Sequence, residues 1–99
     1  MNTNQPAQQQ QLQVNADPEI LKGRYANFMG VTHTKEEFIL DFMLLVPPIG
    51  QYVARVVTSP GHMKRIIDAL QSNLQKYEQQ FGNVSPATEP GQPTMGFGK

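Results

Sequence analysis

The run Phe38-Ile39-Leu40-Asp41-Phe42-Met43-Leu44-Leu45-Val46 decides how this chain is built. Read with the period of a strand, one face carries Phe38, Leu40, Phe42, Leu44 and Val46. The other carries Ile39, Met43 and Leu45 around a single charge, Asp41. An antiparallel strand with one face in water alternates apolar and polar residues, so a strand oily on both faces requires cover on both. The chain offers one good helix, which suffices for one face. The opposite face expects a second copy or a different partner.

That helix is the clearest element outside the strand. Ser59 stands where an N-cap belongs and Pro60 at the first helical position, where its missing N–H costs nothing. Apolar residues recur at Met63, Ile66, Ile67, Leu70, Leu74, Tyr77 and Phe81, and Gly82 follows as a stop. A helix over 60–81 runs about 33 Å. The strand runs about 30 Å, so the helix is long enough to lie along the whole sheet. The stripe covers too few heptads for a coiled coil and reads as a core-facing helix.

The strands before it form a meander. Tyr25 to Thr32 and Glu36 to Val46 flank a turn at His33-Thr34-Lys35, and Gln51 to Thr58 follows the breaker Pro47-Pro48-Ile49-Gly50. Leu12 to Asn15 alternates briefly and is a candidate fourth, edge strand; Asp17-Pro18-Glu19 starts a connecting turn. The fold expected is α+β: an antiparallel meander of three to four strands, then one long C-terminal helix packed on one face. A five-residue connection between the last two strands would set Asp41 beside Arg55, each neutralising the other. The outer, self-associating face would then comprise Phe28, Ile39, Asp41, Met43, Leu45, Val53, Arg55 and Val57.

Ninety-nine residues allow one domain, expected over 11–82. Residues 1–10, rich in Gln and Asn, and 83–99, rich in Pro and Gly, are expected to be disordered tails; Met95 and Phe97 in the second could form a short docking motif, but two apolar residues in a glycine-rich end are more often incidental. So small a core is marginal unless disulfides, a metal or oligomerisation supplement it. The absence of cysteine excludes disulfides and thiolate metal sites. A net charge of zero argues against a general affinity for nucleic acid or anionic membrane. The longest apolar run is too short to span a bilayer, and Met1 to Asn15 lacks the features of a signal peptide, so a cytoplasmic location is expected.

Candidate chemistry is sparse. His33 with Glu36 and Glu37 could hold a metal only at an exposed turn, and an ordinary polar turn explains them better. His62 lies in the first helical turn, where satisfying the helix end outweighs a role as general base. No serine or threonine forms a triad, and Gly61 lacks the lysine and spacing of a phosphate loop. Lys22, Arg24, Tyr25 and Phe28, with Lys64 and Arg65, mix the residue types that bind nucleic acid. Acidic residues are interspersed among them, which disfavours that use without closing it. No catalytic, cofactor-binding or metal-binding residue is assigned.

The runs Arg24-Tyr25-Ala26-Asn27-Phe28, Thr32 to Phe42 and Ala54 to Arg65, with Ala69 to Leu74, Tyr77-Glu78 and Phe81-Gly82, resemble a family of small bacterial and archaeal proteins that constitutes a domain of unknown function. The resemblance covers roughly Leu12 to Gly82. The chain departs from many relatives at Pro47 to Gln51, where a compact turn replaces a longer, more basic connection. The family supplies no catalytic residues to carry over. Some bacterial relatives are encoded beside the large subunits of RNA polymerase, which implies an accessory role in transcription. The strand order is also similar to that of the export chaperone SecB, an analogy of fold only. The expectation is a non-enzymatic homo-oligomeric interaction protein, a dimer or dimer of dimers, with RNA polymerase as a candidate partner. A SecB-like holdase for unfolded chains is the alternative.

Overall fold

The computed structural model describes residues 11–90. In chain order it contains α1 (Pro18–Leu21), β1 (Phe28–His33), β2 (Phe38–Val46), β3 (Ile49–Thr58) and α2 (Pro60–Phe81). The three strands form one antiparallel sheet in the order β1-β2-β3, followed by the helix, so the α+β class holds. The expected tail over 1–10 and the motif at Met95 and Phe97 lie outside the described residues.

Local chemistry sets the strand ends. In the first hairpin the Thr34 hydroxyl accepts from the backbone N–H groups of Glu36 and Glu37, each at 3.1 Å, and the Thr34 N–H donates to the Glu37 carbonyl at 2.9 Å. Those N–H groups are thereby withdrawn from the sheet, and β2 begins at Phe38 instead of Glu36. β1 begins at Phe28, not Tyr25, because the side chain of Asn27 takes over the ladder. Its amide donates to the Leu45 carbonyl at 3.0 Å and its oxygen accepts from the Leu45 N–H at 2.8 Å. One short side chain thus imitates a paired backbone residue.

The second hairpin is tighter than the sequence suggests. Pro47 and Pro48, joined by a cis peptide bond, form the whole turn, and Val46 already pairs with Ile49. Uninterrupted pairing from there would set Asp41 opposite Ala54. A bulge at Val53 adds one residue to β3: Met43 faces Tyr52 while Phe42 faces Ala54, and Asp41 therefore meets Arg55. The expected ion pair is reached by a two-residue turn plus a bulge, not by a five-residue connection.

Two expectations need correction. Leu12 to Asn15 is not a strand; Leu12 and Val14 are almost fully exposed, and four residues with two apolar side chains bury too little to hold an edge. Among the described residues the sheet is three-stranded. The helix, moreover, does not pack on it. No residue of α2 is buried, and Ile67, Leu70, Leu74, Tyr77 and Phe81 are 45–64% exposed. Of the apolar stripe only Met63 and Ile66, in the first two turns of α2, are half-buried. The physical reason is the joint. Ser59 alone links β3 to α2, is extended at φ −80° and ψ 158°, and caps the helix by accepting from the His62 N–H at 3.1 Å. Pro60 holds its predecessor out of the helical region.

The core consequently lies within the sheet. Among the described residues only Leu40 (6% exposed) and Met43 (7%) are buried apolar side chains, and none is fully buried. They sit on β2 and point to opposite faces, Leu40 between Val31 and Val56 and Met43 between Phe28 and Tyr52.

Candidate functional site

The register of the three strands assembles two faces. One carries Met29, Val31, Leu40, Phe42, Leu44 and Val56 and contains no Asp, Glu, Lys or Arg. The other is the face expected to self-associate. There Phe28 lies opposite Met43, Ile39 opposite Val57, Leu45 opposite Gly50, and Asp41 between Gly30 and Arg55. Val53 does not join this register; as the extra residue of the bulge it opposes no single residue of β2. Its place is taken by Tyr52, which a count by twos along β3 does not find.

The centre of this face is a three-residue polar cluster. Arg55 grips Asp41 with two hydrogen bonds, from Nε to Oδ1 at 2.6 Å and from Nη2 to Oδ2 at 3.0 Å. The Tyr52 hydroxyl donates to Oδ2 at 3.3 Å, and the guanidinium carbon lies 5.9 Å from the Tyr52 ring centre. Such fork geometry is the strongest form of the pair. All three contacts reach Asp41 from β3. On the β1 side Gly30 offers no side chain, and the Phe28 ring closes the space, since a Cβ at Gly30 would sit 3.7 Å from it. Leu45 similarly leans over Gly50, where a Cβ would strike it.

The cluster is electrically lopsided. The Asp41 side chain is 12% exposed and that of Arg55 58%. Hydrogen bonding from Arg55 holds the Asp41 carboxyl below its ordinary value of 3.8 against the opposing effect of burial, and the carboxylate in turn raises Arg55. Because the folded-state value lies below the unfolded one, the pair contributes its full stability above about pH 3.8. That contribution is lost as pH falls through the lowered value. Asp41→Asn should therefore be less stable than the wild type at neutral pH, and the difference should shrink in acid. Urea unfolding of both proteins at pH 7 and below pH 3 checks this; a gap independent of pH would refute it.

The remaining candidates are dispersed. His33 stacks on Phe38, with ring centres 5.3 Å apart, beside the turn that Thr34 organises. Among the described residues no three His, Cys, Asp or Glu side chains are placed to hold a metal ion. Beyond α2 the chain comes back to the sheet, where Ala87 to Pro90 line a shallow, open cavity with Asn27, Phe28 and Met29. No helix among the described residues is long and apolar enough to cross a membrane.

Residues 1–86 match the model of the family described as Protein of unknown function (DUF3467), which takes in every strand and the whole of α2. The chain belongs to this family. No curated protein and no solved structure matches it. For this DUF3467 chain the site therefore rests on its own geometry: a neutral, mostly apolar sheet face with a clamped carboxylate at its centre.

Proposed function

We propose that this protein is a non-enzymatic interaction module that works as a homo-oligomer, with the face around Asp41 and Arg55 as its self-association surface. The observation that carries the reading is an apolar sheet face on which some large side chains remain half open to water. Val57 and Tyr52 on this face are 49% and 44% exposed. Burying a side chain of this class contributes about 1.5–3 kcal/mol, and contiguous apolar patches of this kind mark interaction sites. The Asp41–Arg55 pair suits such a use, because it brings no net charge into the contact. Within this reading the module serves a larger machine, and the gene neighbourhood of relatives makes RNA polymerase the first partner to test.

Val57→Lys and Met43→Lys test the surface. Val57 is half in water, so the chain should tolerate lysine there while the contact should not; Met43→Lys places the charge deeper. Light scattering of the wild type at micromolar concentration is expected to give an oligomer, and both variants a smaller species. A monomeric wild type, or variants of unchanged mass, would refute the reading. Recovery of RNA polymerase with the tagged protein tests the partner separately.

The exposed stripe of α2 supports a second reading, a holdase that offers apolar surface to unfolded chains. Suppression of aggregation of a denatured test protein at stoichiometric ratio would favour it.

A further inference from the structure

The uncharged sheet face and the stripe of α2 are each other's complement, yet one chain does not bring them together. The joint explains why. Connections between a strand and the helix that follows it commonly take about 2–6 residues. Here Ser59 alone spans it, held extended by Pro60 and by its own cap to His62. A joint that short and stiff keeps a helix off its own sheet, and short hinges of this kind favour exchange of the element between identical chains.

We propose that α2 of each chain lies on the uncharged face of a second copy's sheet, and that each sheet receives the helix of the other. This deepens, and rests on, the homo-oligomer reading above. Four features select a second copy as the occupant. The helix, about 33 Å long, matches the strand of about 30 Å along which it would lie. The surfaces match chemically: the stripe from Met63 to Phe81 is apolar, and the face from Met29 to Val56 carries no charge. A chain of zero net charge meets no long-range repulsion from its own copy.

Area is the fourth feature. Stacking the Asp41 faces alone would cover about 400 Å² per chain, from three strands about 4.8 Å apart, which is short of the roughly 800 Å² per partner of a stable interface. Reciprocal docking of two helices, each about 10 Å wide, uses both the stripe and the sheet of each chain and brings the contact to about 700 Å² per chain, close to that size. Each chain then has two contacts: the exchanged helices make the dimer, and the Asp41 faces join dimers in pairs.

The chain contains no cysteine, so introduced thiols report on this arrangement cleanly. Ala54 lies mid-strand opposite Phe42 on the uncharged face, and Leu70 lies at the middle of α2. These two midpoints coincide whichever way the helix runs along the sheet. Ala54→Cys and Leu70→Cys chains, purified separately, are mixed, re-equilibrated and oxidised mildly. The mixed disulfide is expected to form on the order of 10²–10³-fold faster than between the same thiols free in solution, because docking raises their effective concentration from micromolar to millimolar. The double variant should give covalent dimers. An internal disulfide in that variant would show that the helix covers its own sheet and would overturn the proposal. Dominant Ala54→Cys homodisulfides (sheet on sheet), dominant Leu70→Cys homodisulfides (helix on helix), or no dimer at all would also overturn it. Repeating the experiment with Val57→Lys chains separates the two interfaces: the cross-link should persist there even though dimers no longer pair.

Discussion

Leu40→Ala is expected to lower the free energy of unfolding by about 2–5 kcal/mol, the usual range for truncating a buried leucine. Leu40 is 6% exposed and sits in the middle strand, opposite Val31 on one side and Val56 on the other. Its loss opens a gap at the centre of the uncharged face that neither neighbour can fill without leaving its own place in the ladder. Small domains are stable by only about 5–15 kcal/mol, so this substitution removes a large part of the total. Urea unfolding followed by circular dichroism measures it. Val46→Ala, at the exposed end of the same face, should cost far less; the reverse order would mean that the core lies elsewhere.

Leu74→Ala should be nearly as damaging, but in a different way. Within one chain Leu74 is 52% exposed, and truncating it there would remove little. On the sheet of a second copy it is buried, and its loss should cost about 2–5 kcal/mol. That loss is tied to assembly, so it must depend on protein concentration, whereas the cost of Leu40→Ala need not. Gln75→Ala, one residue further and off the stripe, should stay within about 0.5 kcal/mol. Unfolding of all three proteins at two concentrations a hundredfold apart distinguishes them. A small, concentration-independent effect of Leu74→Ala would mean that the stripe faces water in the working protein.

Some of this was legible in the sequence. The ends of α2 followed from Ser59-Pro60 and Gly82, because capping and proline chemistry act within a single turn. The unusual character of β2 followed from two interleaved apolar sets, since the period of a strand fixes which residues share a face. The Asp41–Arg55 pair was visible as the one charge couple within apolar strands, but the route to it was not. A bulge at Val53 leaves no local signal, because it arises from how two strands settle their register together. The role of Asn27 is hidden for a similar reason: the sequence places it within the first strand, and only the position of Leu45 turns its side chain into part of the ladder. The apolar stripe reads in sequence as the core face of a helix on its own sheet, whereas in the structure it stays 45–64% exposed. Periodicity identifies such a surface but not what lies against it, because the direction in which a helix leaves its strand is set at the joint, here the single residue Ser59.

The open stripe also bears on the life of a newly made chain. Until it meets its counterpart, each polypeptide leaving the ribosome displays Ile67, Leu70, Leu74 and Phe81 in the kind of oily row that chaperones hold and proteases seize. Under the proposed pairing, dilute chains would be open to clearance and concentrated ones protected, so the amount of this protein in a cell should rise steeply with its rate of synthesis once pairing outruns degradation.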